Sequence, residues 1–262
     1  MEPNQEGMAA RGSAKIEKRW RVGLIGPILR RTSQRTACMI LHPLAVRRFE
    51  TLAKKADNLE KAIDLAYSFR YRGIHITPCQ DREEISEFCR MVQSAQPKVV
   101  LEIGPENGGT LFALTRVAGS DGTLISLDLP AKVFGMGHPG WADKMYRLFP
   151  AGSQKVHILR GDSHQPPTVE VLKQVLAGRE IDLLFIDGDH SYEGVKADFE
   201  MYSRYVRKGG MVALHDILPL ANNPDVRVSD FWSEVKDRFE SVEIVKPRSA
   251  GGVLGGIGIL RV

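Results

Sequence analysis

From Lys98 onward the chain alternates short apolar runs with helix-length stretches, a rhythm that few folds accept. The runs at 99–103, 123–128, 156–160, 181–187 and 211–215 have the length and apolar content of strands buried on both faces. Helical stretches at 109–118, 139–148, 167–176, 192–205 and 228–239 separate them. Such alternation predicts an α/β fold, a doubly wound and mostly parallel sheet. Two more runs, 241–246 and 256–262, flank a glycine-rich loop at 247–255. They predict an antiparallel hairpin ending and bring the sheet to seven strands.

Upstream the rhythm is helical. Apolar residues between 45 and 69 recur at helical spacing, broken off from what precedes by His42-Pro43. A further helix is expected over 81–96, with Asp81 as N-cap and Glu84 completing a capping box. The change near Lys98 divides the chain into an N-terminal tail and helical cap, 1–94, and a ligand-binding α/β domain, 95–262. Residues 1–14 are small and polar and read as disordered. Residues 1–72 hold 15 Lys/Arg against 7 Asp/Glu, so the net charge of +4 conceals a basic front. Helix periodicity accounts for that as a solvated face. No aromatic-interleaved basic strip points to nucleic acid. Cys38, Cys79 and Cys89 show no CxxC spacing and fit reduced thiols. No stretch of about 18 apolar residues or signal-peptide core occurs, so the expectation is a cytoplasmic protein without a membrane span.

The strand ends carry the chemistry. If the strands at 181–187 and 211–215 are neighbours, their ends lie about 5 Å apart. Asp187, His190, His215 and Asp216 then gather at the carboxyl edge of the sheet, where open α/β folds bind ligands. Such a set can hold a divalent cation and keep a base in reserve. Asp189 reads better as a capping residue for the helix that follows.

The first strand turns into a helix through Gly104-Pro105-Glu106-Asn107-Gly108-Gly109. Gly104 allows a tight reversal, and the later glycines allow close helix approach. Glu106 stands where a dinucleotide fold has its second glycine. An acidic turn disfavours a pyrophosphate and favours a cationic ligand such as S-adenosylmethionine. Asp128, ending the next strand, is placed to accept from ribose hydroxyls. Gly161-Asp162-Ser163 ends the third strand, within reach of an adenine edge. The segment 130–141, with Phe134, Met136, His138 and Trp141, follows Asp128 and suits a lid.

Taken together, LEIGPENGGT, LISLDLP, LRGDSH and IDLLFIDGDHSYEGVKAD resemble class I S-adenosylmethionine-dependent methyltransferases. More narrowly, they are similar to the methyltransferase family 24 or cephalosporin-hydroxylase-like branch. The resemblance covers about 95–262. It implies a Rossmann-like methyltransferase sheet and cofactor contacts at Glu102, Gly104, Asp128, Asp162 and Ser163, with Asp187 near the methionine amine. From metal-dependent O-methyltransferases it implies cation ligands Asp187, His215 and Asp216 and a general base at His190. Relatives usually carry Asp or Glu where this chain has His215. Imidazole shifts the metal preference from Mg towards Mn, Fe, Co or Zn. The expected function is O-methylation of a hydroxyl on a small molecule or sugar, in natural-product or glycan tailoring. The expected partners are that acceptor and a second copy of the chain. A metal-independent methyltransferase acting on N or O and a non-catalytic S-adenosylmethionine-binding protein are the alternatives.

Overall fold

The computed structural model describes residues 43–130, 143–220, 223–246 and 255–262. The tail, most of the lid segment and most of the 247–255 loop lie outside the described residues. A seven-stranded sheet has the order β5-β4-β3-β6-β7-β9-β8. Its strands are β3 (Val99–Ile103), β4 (Thr123–Asp128), β5 (Lys155–Arg160), β6 (Ile181–Ile186), β7 (Val206–His215), β8 (Glu240–Ile244) and β9 (Ile257–Arg261). β5 through β7 run parallel, and β9 lies antiparallel between β7 and β8. The chain leaves β3 towards β5, then returns to β6 on the other side of β3. That reversal is the topological switch point, and it opens a crevice beyond the carboxyl end of β3.

Alternate residues of each parallel strand feed two cores. Val100, Leu124, Phe185 and Ala213 face one side. Leu101, Ile125, Leu184 and Val212 face the other. The first core is closed by the helix at 43–53 (α1), α2 (Leu59–Ser68), α3 (Arg82–Ala95) and α4 (Gly109–Leu114). Phe49 of α1 packs against Phe112 and Phe149 with ring centroids 5.3 and 5.6 Å apart. Residues ahead of the α/β segment are therefore part of its core. The second core is covered by α6 (Pro166–Leu176), α7 (Tyr192–Tyr202) and α8 (Val228–Val235), with α5 (Asp143–Tyr146) returning to the first face. Trp232 of α8 lies on β9 where Gly258 leaves room; a Cβ there would come within 2.6 Å of the indole.

Four local expectations shift. The helical spacing over 45–69 is divided between two helices, because Asn58 caps α2 by accepting from the Lys61 amide at 3.0 Å. A two-residue hairpin, β1 (Arg70–Tyr71) with β2 (Ile74–His75), follows it. β7 starts at Val206, five residues early, since Gly209 at φ +73° and a register irregularity opposite Asp182 absorb what reads as a Gly-Gly turn. The capping box at α3 is half formed. Asp81 accepts from the Glu83 and Glu84 amides, but the Glu84 carboxylate accepts from the Lys246 amide at 3.4 Å. Among the described residues no helix is long and apolar enough to cross a membrane.

Candidate active site at the ends of β3, β6 and β7

The ladder between β3 and its neighbours continues past the strand ends. The Gly104 amide donates to the Leu127 carbonyl and the Asp187 amide to the Ile103 carbonyl, each at 2.9 Å. Gly104 sits at φ +79°, and a Cβ on it would stand 2.1 Å from the Asp187 carbonyl oxygen. Glu106 and Gly108 also take positive φ, so the turn doubles back tightly into α4. The Tyr146 hydroxyl donates to the Glu106 carbonyl at 3.0 Å and Cys79 Sγ to its carboxylate.

Two acids on the strands that border this turn, Glu102 in β3 and Asp128 at the end of β4, are buried with open acceptors. Among the described residues neither carboxylate oxygen of Glu102 has a hydrogen-bond partner, although the residue lies mid-sheet and is 1% exposed. Burial, reinforced by the Asp187 and Asp128 charges, pushes its carboxyl well above the usual range. Asp128 Oδ1 accepts from the Leu129 amide at 2.8 Å, while Oδ2 is buried and has no partner among the described residues. Burial lifts Asp128 to about 6 against the pull of Arg160. Buried acceptors without donors are rare in folded proteins. Placed at the ligand edge of the sheet, they fit a ligand rich in hydroxyl or ammonium donors.

Asp162 and Ser163 stand at the end of β5, two strands from β3. Asp162 Oδ1 accepts from the His164 amide at 2.9 Å, and the Ser163 carbonyl accepts from the Tyr202 hydroxyl at 2.7 Å. His164 Nε2 lies 3.3 Å from Oδ1 of the fully buried Asp198. His164 Nε2 also lies 3.2 Å from the Gly194 carbonyl, and the neighbouring Asp198 carboxylate outweighs burial and raises His164 to about 9. Asp189 caps the next turn, accepting from the Ser191 amide at 2.9 Å.

β6 and β7 pair as neighbours, with Ile186 opposite Leu214, so their ends bring the acid and imidazole groups together. His215 Nδ1 lies 3.1 Å from Asp187 Oδ1 and 3.4 Å from Asp216 Oδ1. His190 Nδ1 lies 3.0 Å from Asp216 Oδ2. Donor atoms of Asp187, His190 and Asp216 all fall within 4.8 Å of one another. Asp216, directly after β7, holds φ +62°, a left-handed geometry uncommon for a residue with a side chain. Burial alone would lower His215, but Asp187 and Asp216 outweigh it and lift the imidazole to about 9. Burial would raise Asp216, but the hydrogen bond from His190 and the His215 charge hold it below the usual range. The bond to Asp216 raises His190 in turn.

Cis ligands about 2.1 Å from an octahedral ion lie roughly 3 Å apart. His215 Nδ1 stands at about that spacing from Asp187 Oδ1 and from Asp216 Oδ1, whereas the three residues whose donor atoms all come together are Asp187, His190 and Asp216; carboxylate with imidazole is an ordinary donor set for a first-row divalent ion. An imidazolium between two carboxylates has the same spacing.

Two residues outside the expected set belong to this wall. Gln80 donates from Nε2 to Asp187 Oδ2 and accepts at Oε1 from the Thr110 hydroxyl at 3.1 Å. Glu84 is fully buried, with no partner for Oε2 among the described residues, and its charge acts on His215 and Asp216. Both come from the loop into α3 and its first turn, which no local pattern ties to strand ends more than a hundred residues later.

A parallel sheet with this order and an antiparallel ending defines the class I S-adenosylmethionine-dependent methyltransferase fold. An O-methyltransferase from Bacillus cereus in complex with SAH has it, at TM-score 0.55 and 19% identity over 78% of this chain and 90% of that one. So does cofactor-bound Rv0187 from MTB, at TM-score 0.52 and 22% identity over 78% and 87%. TomG from Streptomyces achromogenes, an O-methyltransferase of tomaymycin synthesis in complex with SAM, follows at 0.51 and 16% over 78% and 89%. Residues 101–217 match the methyltransferase-domain family Methyltransf_24. Over 75 residues it is 40% identical to uncharacterized protein R132 of Acanthamoeba polyphaga mimivirus, a match covering 29% of this chain. The matched stretch spans 33% of the length of that curated relative.

Proposed function

We propose that the protein transfers a methyl group from S-adenosylmethionine to a hydroxyl of a small molecule or sugar, with a divalent cation and a histidine base. One observation carries this reading: Asp187, His190, His215 and Asp216 converge near two buried acids, Glu102 and Asp128, that keep unpartnered oxygens among the described residues. The cofactor supplies a methyl on a cationic sulfur. Glu102, Asp128 and Asp187 are the acceptors for its hydroxyls and amine, Gly104 lets it approach the backbone, and Asp162 with Ser163 border the adenine. Asp187, His215 and Asp216 would hold the cation, which lowers the pKa of an oxygen bound to it. His215 makes that site softer than an all-carboxylate one, in favour of Mn²⁺ over Mg²⁺.

Asp216 divides its carboxylate, Oδ1 towards His215 and Oδ2 onto His190 Nδ1. Held this way, His190 keeps Nε2 for the acceptor hydroxyl, and Asp216 stabilises the imidazolium that forms. The helices at 43–95 would complete the acceptor pocket. Methyl transfer that needs no metal remains the second reading, favoured by that same 3.0 Å Asp216–His190 pair, which works as a base dyad without a cation.

The deciding experiment offers radiolabelled S-adenosylmethionine with a panel of catechols, sugar diols and hydroxy-ketones, with and without EDTA. Turnover that stops in EDTA and returns with Mn²⁺ supports the leading reading. Full turnover in EDTA moves the function to the metal-independent one. Absence of S-adenosylhomocysteine binding by calorimetry overturns both.

A further inference from the structure

We propose that Gln80, outside the segment that matches the methyltransferase family, is a positioning residue that sets the Asp187 carboxylate for cation binding. The inference rests on the cation site proposed above. Its orientation follows from hydrogen-bond chemistry. An ionised carboxylate only accepts, so the amide nitrogen of Gln80 must face Asp187 Oδ2. Gln80 Oε1 then faces Thr110, whose hydroxyl donates to it at 3.1 Å. The backbone of Gln80 is fixed as well, its carbonyl accepting from the Tyr67 hydroxyl at 3.0 Å. Gln80 is 8% exposed and Thr110 is 2% exposed, so water does not replace either partner readily.

The consequence lies at the other oxygen. With Oδ2 tied to Gln80, Asp187 directs Oδ1 at His215 Nδ1, 3.1 Å away. Groups that orient a metal ligand in this manner typically account for 10–100-fold in metal affinity. The relay also joins the glycine turn to the cation site, because Thr110 lies in the first turn of α4 directly after Gly108-Gly109.

The test titrates Mn²⁺ into the whole protein, read by electron paramagnetic resonance, with S-adenosylhomocysteine calorimetry in parallel. Gln80→Leu should weaken Mn²⁺ about 10–100-fold, and S-adenosylhomocysteine, whose amine is also assigned to Asp187, by a distinctly smaller factor. Thr110→Val, which frees the amide oxygen, should lose a smaller part of the Mn²⁺ affinity. Tyr67→Phe removes only the backbone tie and serves as a structural control, lowering the melting temperature without a comparable Mn²⁺ loss. If Gln80→Leu and Thr110→Val both bind Mn²⁺ as the wild type does, the inference is wrong and the cation site stands. If the wild type itself binds no Mn²⁺, the cation reading fails and takes this inference with it. Equal losses of Mn²⁺ in Tyr67→Phe and Gln80→Leu would make Gln80 merely structural.

Discussion

Gly104 and Asp187 meet backbone to backbone, with the Asp187 carbonyl oxygen 2.1 Å from where a Cβ on Gly104 would stand. Two strand ends can lie this close only because one of them carries no side chain. Gly104→Ala adds a clash that no rotamer relieves to a φ of +79° that alanine resists. We expect it to destabilise the fold by about 2–4 kcal/mol. It should also weaken S-adenosylhomocysteine at least tenfold at temperatures where it stays folded. Calorimetry measures both, and wild-type values for both would show that the turn tolerates bulk.

Asp128 opposes stability to function. Its folded pKa, about 6, lies above the ordinary carboxylate value of 3.8, so its ionised form is disfavoured in the fold. The group's contribution is most favourable below about 3.8 and is lost as pH rises through 6. Asp128→Asn should therefore stabilise the ligand-free protein at pH 7–8 by on the order of 1–3 kcal/mol, with the gain vanishing near pH 4. The same variant should bind S-adenosylhomocysteine at least tenfold more weakly, or 1.4 kcal/mol. Stabilisation without lost affinity would remove Asp128 from the cofactor site.

The helices ahead of the family-matched segment belong to the sheet's core rather than resting on it. Phe49 is fully buried against Phe69, Phe112 and Phe149. Phe49→Ala should cost about 3–5 kcal/mol and unfold the protein in a single denaturant transition. Two separate transitions would mean that the helical layer folds as its own unit.

The strand–helix rhythm after Lys98 was legible because parallel strands buried on both faces read as short apolar runs; β3 and β4 match their expected limits to the residue. The adjacency of β6 and β7, on which the acid and imidazole cluster depends, stood in the sequence only as a condition, and the sheet order meets it. What escaped was non-local or compensated. Gly209-Gly210 reads as a turn, yet lies inside β7 because a bulge absorbs it. Glu84 reads as half of a capping box, yet turns to the Lys246 amide from far along the chain. Gln80 reads as an ordinary residue before a helix cap, and only the folded chain brings it to Asp187.

His164 and Asp198 tie the end of β5 to α7, a link that should show in stability against pH. The folded His164 pKa, about 9, exceeds the unfolded value of 6.5. Its contribution is fully present below about 6.5 and is lost as pH rises through 9. With about a third of the imidazole in solvent, we expect roughly 1–2 kcal/mol over that window. His164→Gln should unfold with a flatter pH dependence between 6.5 and 9. An identical profile in urea titrations would show that the pair carries no charge-linked stability.

His190 has two chemically distinct roles open to it, and one variant separates them. Its Nδ1 is held 3.0 Å from Asp216 Oδ2, the arrangement of a base whose far nitrogen is free for substrate. Its donor atom also lies within 4.8 Å of those of Asp187 and Asp216, close enough to share a cation. As a base, His190→Ala should leave Mn²⁺ and S-adenosylhomocysteine binding near wild type. It should lower turnover of the best diol acceptor by roughly 10²–10⁴, and the acidic limb of the rate profile, which reports deprotonation of the imidazole, should disappear. As a ligand, the same change should weaken Mn²⁺ and lower the rate only as far as added Mn²⁺ cannot compensate. Because Asp216 serves both arrangements, Asp216→Ala does not discriminate between them, whereas His190→Ala with Mn²⁺ at saturation does. Recovery of full turnover at saturating Mn²⁺ would assign His190 to the cation and leave the base to be sought elsewhere.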